Sequence, residues 1–146
     1  MSVTPQVDPR GLRTAAAITA VILAVALVVP SPVREIVLVF QAAVFAVAVA
    51  FGVGASPYAW FFRVVVRPRI GAPTETEDAR PPRFAQLVGL TFTAGAIAAL
   101  LAGAVTAGLV LTAFALVAAL LNATVGLCLG CEMYLAFRRL APARTA

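Results

Sequence analysis

Long apolar runs separated by short polar breaks organise this chain. Thr14 to Val29 carries no charge, Ile36 to Gly54 is interrupted only by Gln41, and Phe84 to Phe137 holds one charge, Glu132, in 54 residues. A bilayer core about 30 Å thick takes roughly 20 apolar residues per helical crossing, so each of the first two runs suits one span. The third would measure about 80 Å as a single helix, beyond any bilayer, and must turn back. The turn is expected within Ala102 to Gly108, where glycines and Thr106 interrupt the Leu/Val pattern. The pattern predicts an all-α membrane protein, a four-transmembrane-helix bundle in one domain over 1–146, with helices at about 12–29, 35–54, 83–103 and 107–137.

The breaks carry signals of their own. Pro30 and Pro32 end the first helix, because proline lacks an N–H and disfavours α geometry in the residue before it. A basic start followed by an apolar run also resembles a signal peptide, but no small-x-small cleavage site follows within Val29 to Val33, so the first helix is read as uncleaved. Arg34 and Glu35 fill a turn too short to recross, which makes the second helix antiparallel to the first. Ser56 and Pro57 read as an N-cap followed by proline at the first helical position. From Tyr58 to Arg69, aromatic residues mix with Arg63, Arg67 and Arg69. That segment suits a short helix in the headgroup region, with Arg63 and Arg67 four apart on one face, or an extension of the second helix. Residues 69–82 form a polar loop.

Composition defines the solvent and narrows the chemistry. Apolar residues make up 62% of the chain and charged residues 12%, with mean hydropathy +1.02, against about 25% charged in a soluble domain. At 146 residues there is no room for a large catalytic ectodomain. The chain has neither Lys nor His. That removes imidazole metal and haem ligation, Ser/His/Asp catalysis and Schiff-base chemistry. With the N-terminus inside, Arg10, Arg13, Arg63, Arg67, Arg69, Arg80, Arg83, Arg138, Arg139 and Arg144 fall on the inner side and Arg34 alone on the outer. Short loops rich in Lys or Arg stay cytoplasmic, so both termini and the 69–82 loop are expected in the cytoplasm. The net charge of +5 then follows from topology and from attraction to anionic lipid. No nucleic-acid partner is needed.

One constellation carries chemical potential, GLCLGCE from Gly126 to Glu132. Cys128 and Cys131, three apart in the expected fourth helix, share a face with Cα atoms about 5 Å apart, within a disulfide's reach. Cys131 precedes Arg138 by seven residues, roughly 10 Å below the arginine collar, which puts the pair in the cytoplasmic half of the membrane. Glu132 stands four residues after Cys128, at contact spacing. An acid in hydrocarbon is costly, so Glu132 either accepts a thiol proton or pairs with an arginine such as Arg83 or Arg139. Position argues against reactivity. Near the C-terminal end of a helix, the negative end of the dipole disfavours a thiolate. Two thiols are too few for a structural zinc site, and small apolar cysteines also simply fill space in helices. No metal or cofactor is expected. Gly126 and Gly130 share another face and read as helix-packing residues, as do Gly95 and Gly103 in the third helix. Gln41, Gln86 and Asn122 suit either the lining of a path or, more simply, interhelical hydrogen bonding, and Tyr58 and Trp60 read as an interfacial belt.

Together, FGVGASPYAWFF (Phe51 to Phe62), PRFAQLVGL (Pro82 to Leu90) and above all LCLGCEMY (Leu127 to Tyr134) resemble the small bacterial membrane proteins grouped as domain of unknown function 4395. The resemblance covers nearly the whole chain, and its most specific element is the C-x-G-C pair. The Ala/Val-rich, Lys-free composition looks like an actinobacterial member, which implies a bacterial inner membrane. The family brings no established activity. The resemblance implies an association with thiol and sulfur metabolism, because relatives tend to sit beside thioredoxin-like or rhodanese-like proteins. The leading expectation is thiol-disulfide or sulfur exchange between Cys128/Cys131 and such a soluble partner. Glu132 would assist proton movement, and Arg63, Arg67, Arg69, Arg80 and Arg83 would dock the partner or an anionic sulfur species. A transporter or channel for a small sulfur compound and a non-catalytic membrane anchor or scaffold are the alternatives. Enzymatic activity and self-association stay open.

Overall fold

The computed structural model describes residues 3–141. Arg144, counted above on the inner side, lies outside them. A short strand, β1 (Gln6–Val7), leads into α1 (Pro9–Val28), and α2 (Val33–Phe51) returns alongside it. A 3-10 turn (Val53–Ala55) passes to α3 (Pro57–Phe61), a π-helical stretch (Phe62–Val66) and α4 (Arg67–Ile70). β2 (Glu77–Asp78) pairs antiparallel with β1 and is followed by α5 (Arg80–Leu101), α6 (Val105–Val125) and α7 (Leu129–Leu140). Helices α1, α2, α5 and α6 are each long and apolar enough to cross a membrane. The chain is thus a multi-pass membrane protein, an all-α four-transmembrane-helix bundle with a short helical segment between the second and third spans.

Local chemistry sets the boundaries. Asp8 caps α1 by accepting the Arg10 backbone N–H at 2.9 Å, with Pro9 at the first helical position. The Arg10 side chain bonds the same carboxylate and holds it below the usual carboxylate range. Ser56 caps α3 through the Ala59 N–H at 3.1 Å, again with proline next in line. The π-helical stretch directly precedes Pro68, whose ring would clash with the carbonyl of Val64 in a regular helix. A widened turn moves that carbonyl aside. Between α5 and α6 the chain reverses at Ala102 to Ala104, with Gly103 at φ +82°.

A buried hydrophobic cluster lies toward the Arg34 end of the bundle. Leu23 and Ala26 of α1, Leu38 of α2 and Ala96 and Leu100 of α5 form one buried cluster, flanked by Leu111 and Ala115 of α6. Gly108 lets α6 approach closely, since a Cβ there would fall 2.5 Å from Leu100 Cγ. Several polar groups inside the bundle are paired, as an apolar surrounding favours. Gln41, fully buried, accepts the Tyr58 hydroxyl at 2.7 Å and donates to Thr19 at 3.5 Å. Thr93 and Thr112 return their hydroxyls to carbonyls one turn back, at 2.9 Å each. Tyr58 is therefore an interior residue and not part of the aromatic belt, and burial pushes its phenol up to about 12. Trp60 is exposed.

Arginines close the ends of the helices. The last carbonyls of a helix have no partner within it, and these are met at α1 by Arg34 (Ala26 O, 3.1 Å), at α2 by Arg83 (Val49 O, 2.7 Å; Ala50 O, 3.1 Å) and at α6 by Arg13 (Thr124 O, 2.8 Å; Ala123 O, 3.2 Å). Arg10 reaches the carbonyl of Gly71 just past α4, at 3.1 Å. Among the described residues, the arginines other than Arg34 belong to the end where α1 and α5 begin and α2 and α6 finish.

The Tyr58–Gln41 bond yields a direct test. Tyr58→Phe leaves a buried amide oxygen without its donor and is expected to cost about 1–3 kcal/mol, read as a lower denaturation midpoint in detergent. An unchanged midpoint would contradict the assignment.

Candidate functional site: a disulfide at the start of α7

The expected fourth helix over 107–137 is two helices. α6 ends at Val125, and Gly126 takes the left-handed conformation (φ +74°) that only glycine adopts cheaply. The Leu127 N–H then closes back on the Leu121 carbonyl at 3.3 Å. Cys128 is the N-cap of α7. Its Sγ accepts the Cys131 N–H at 3.3 Å, and its carbonyl accepts the Glu132 N–H at 3.0 Å. Cys128 and Cys131 are joined as a disulfide with Cα atoms 5.2 Å apart.

This corrects the expected placement of the pair. The cysteines open a helix, so the positive end of its dipole and its free N–H groups face the sulfurs. The objection drawn from a helix C-terminus no longer applies. Gly126, read as a packing residue, is the turn itself, and a Cβ there would meet nothing within 4 Å. Gly103 is likewise a turn glycine with open space around it, while a Cβ at Gly95 would make ordinary contact with Leu111 at 3.4 Å. The sequence marks this stop and start only by Gly126 and by the acid Glu132 in the turn that follows, with no Ser, Thr, Asp or Asn between them to announce a cap.

α7 folds back onto the first turns of α5. Gly130 is buried there, and a Cβ on it would fall 2.5 Å from Ala85 Cα, against backbone that cannot give way. Phe84 adds aromatic contacts with Tyr134 and Phe137, at 5.8 and 6.3 Å between ring centroids. Because α7 lies along α5 and does not continue α6, Arg138 no longer measures the depth of the cysteines. Ala85 does, five residues into α5 and about 7.5 Å along it from Arg80.

Glu132 is exposed in the first turn of α7 and makes no ion pair with another described residue. Neither Arg83 nor Arg139 is its partner. Of the arginines expected to dock a partner, Arg63 donates to Gly54 O at 2.6 Å, Arg69 to Val65 O, and Arg83 to the end of α2. Arg80 pairs with Asp78, and the hydrogen bond from its guanidinium holds that carboxyl below the usual range. Arg67 alone of the five makes no side-chain hydrogen bond to another described residue.

Beneath the disulfide, a cavity of about 690 Å³ opens between α1, α5, α6 and α7. Cys128, Cys131 and Glu132 line one end, with Arg13, Gln86 and Asn122 also on the wall, and Phe45, Phe92 and Phe114 line its deeper part. Nothing in the sequence marks Arg13 as a neighbour of the cysteines. Among the described residues, no group of three or more His, Cys, Asp or Glu side chains could hold a metal ion.

The family model described as domain of unknown function (DUF4395) matches residues 7–139. The chain belongs to the DUF4395 family. No curated protein and no solved structure matches it. In this DUF4395 protein the matched span takes in nearly all of α7 as well as the four spanning helices, so the disulfide and its supporting contacts fall within the family's own domain.

The α5–α7 contact is expected to be intolerant of any side chain at position 130. Gly130→Ala should lower stability by about 1–3 kcal/mol through overpacking and speed reduction of the disulfide by a water-soluble phosphine. A variant matching wild type in both measurements would show that α7 is held some other way.

Proposed function

We propose that this DUF4395 protein is a membrane-bound thiol-disulfide exchanger whose Cys128/Cys131 pair reacts with a soluble thioredoxin-like protein. The observation that carries the reading is the sulfur at a helix start, with Cys128 Sγ accepting the Cys131 N–H at 3.3 Å. A thiolate is the attacking species in exchange, and a donated N–H together with the helix dipole stabilises that charge. In the reduced protein Cys128 attacks a partner disulfide and expels one partner thiolate. Cys131 then attacks Cys128 Sγ, closing the intramolecular disulfide and releasing the second. Two electrons and two protons pass to the partner, and the reverse sequence oxidises it.

With neither Lys nor His in the chain, the proton of Cys131 goes to Glu132 or to water. The arginine-rich end faces the cytoplasm on the positive-inside rule, which places the disulfide on the cytoplasmic face of a bacterial inner membrane. Arg67, exposed and with its side chain free of hydrogen bonds to other described residues, supplies positive charge for an acidic partner surface.

The test is the rate at which the oxidised protein, held in lipid discs, oxidises reduced thioredoxin. Wild type should exchange, and Cys128→Ser should fall to the uncatalysed background. Equal rates for the two would overturn the reading.

A further inference from the structure

The exchanger described above still requires a source or sink for its electrons, and the cavity beside it has the character of a site for one. We infer that this cavity binds a lipid-soluble quinone, which exchanges two electrons with the Cys128/Cys131 pair; the inference rests on the exchange reading.

Depth is the first support. The cavity is lined at one end by both cysteines and reaches Ala115 on α6. From Val125, the end of α6, that is ten residues, or about 15 Å at 1.5 Å per residue, half of a hydrocarbon core about 30 Å thick. A water-soluble oxidant has no reason to occupy such a site. Its volume of about 690 Å³ falls within the roughly 300–1,000 Å³ of small-molecule sites.

The distribution of polar groups is the second. The deep part is mainly aromatic and aliphatic, its Thr19 hydroxyl already bonded by Gln41, whereas Gln86, Asn122 and Arg13, with Glu77 and Asp78 at the mouth, lie toward the cysteine end, Asn122 one turn before the Gly126 break and Gln86 next to the Ala85 that α7 touches. Both amides are half-buried, and neither side chain makes a hydrogen bond to another described residue. Unpaired amide groups in an apolar wall ask for a partner with acceptors. A quinone offers two ring carbonyls at one end and a hydrocarbon tail at the other. A lipid acyl chain would satisfy the deep wall and leave the amides unpaired.

The step balances without a further reagent. The two thiols lose their protons and two electrons, an S–S bond joins Cys128 to Cys131, and the quinone takes two electrons and two protons and leaves as the quinol.

The experiment uses the full chain in lipid discs, with the cysteine pair pre-reduced and excess reductant removed. On addition of a short-chain naphthoquinone, quinone absorbance is expected to fall by one equivalent per disulfide formed, counted by thiol alkylation. Ala119→Phe, which fills the cavity wall without touching a sulfur, is expected to slow this at least tenfold at unchanged helical circular dichroism. An azidoquinone should label residues of α1, α5 or α6 that line the cavity. Label found only elsewhere, or a wild-type dithiol that resists the quinone while still exchanging with thioredoxin, would overturn the quinone site and leave the exchange reading standing. A dithiol that reacts with neither would overturn both.

Discussion

A carbonyl at the end of a helix near hydrocarbon has little water to bond, and arginines supply that bond at the ends of α1, α2 and α6. The guanidinium suits the task, with several donors in a fixed fork on a stem long enough to cross between helices. Each such bond also fixes a neighbour. Arg83, at the start of α5, holds the end of α2, and Arg13, at the start of α1, holds the end of α6. The end of α6 is the launching point of α7. Once it is tied to α1, the left-handed turn at Gly126 sends the chain back over α5, and Gly130 against Ala85 seats it there. The position of the disulfide follows from this sequence of contacts.

The same arrangement divides the bundle into two unlike ends. Leu23, Leu38 and Leu100 pack together in one buried cluster. At the opposite end the arginines brace helix termini rather than side-chain packing, and space is left between α1, α5, α6 and α7. The disulfide lies beside that space. Much of the basic charge that resembles a docking surface is thereby committed to structure, to carbonyls or to Asp78. The concentration of arginine at one end of the bundle and the capping of helix ends involve one set of residues.

What was legible in the sequence tracks how each feature is encoded. The four spans follow from uninterrupted apolar length, the reversal between Ala102 and Gly108 from glycine and threonine, and the cap at Ser56 from its hydroxyl and the following proline. The break at Gly126 was hidden, because Leu127 and Leu129 carry the apolar pattern straight through it and the decisive feature is a backbone angle. With the break went the orientation of the cysteines, and the inference about their reactivity changed sign. The partners of the arginines were equally out of reach, since carbonyl groups belong to every residue and name none. So was the cavity, whose wall includes the alanines Ala115, Ala118 and Ala119, which look like neutral spacers in a helix.

In the proposed exchange, the start of α7 makes Cys128 the attacking sulfur. The most direct measure of this is the rate of mixed-disulfide formation with a water-soluble aromatic disulfide at neutral pH, compared between Cys131→Ser, which keeps Cys128, and Cys128→Ser, which keeps Cys131. Cys128 is expected to react faster than both Cys131 and free cysteine. Equal rates at the two positions, or a Cys128 slower than free cysteine, would contradict it.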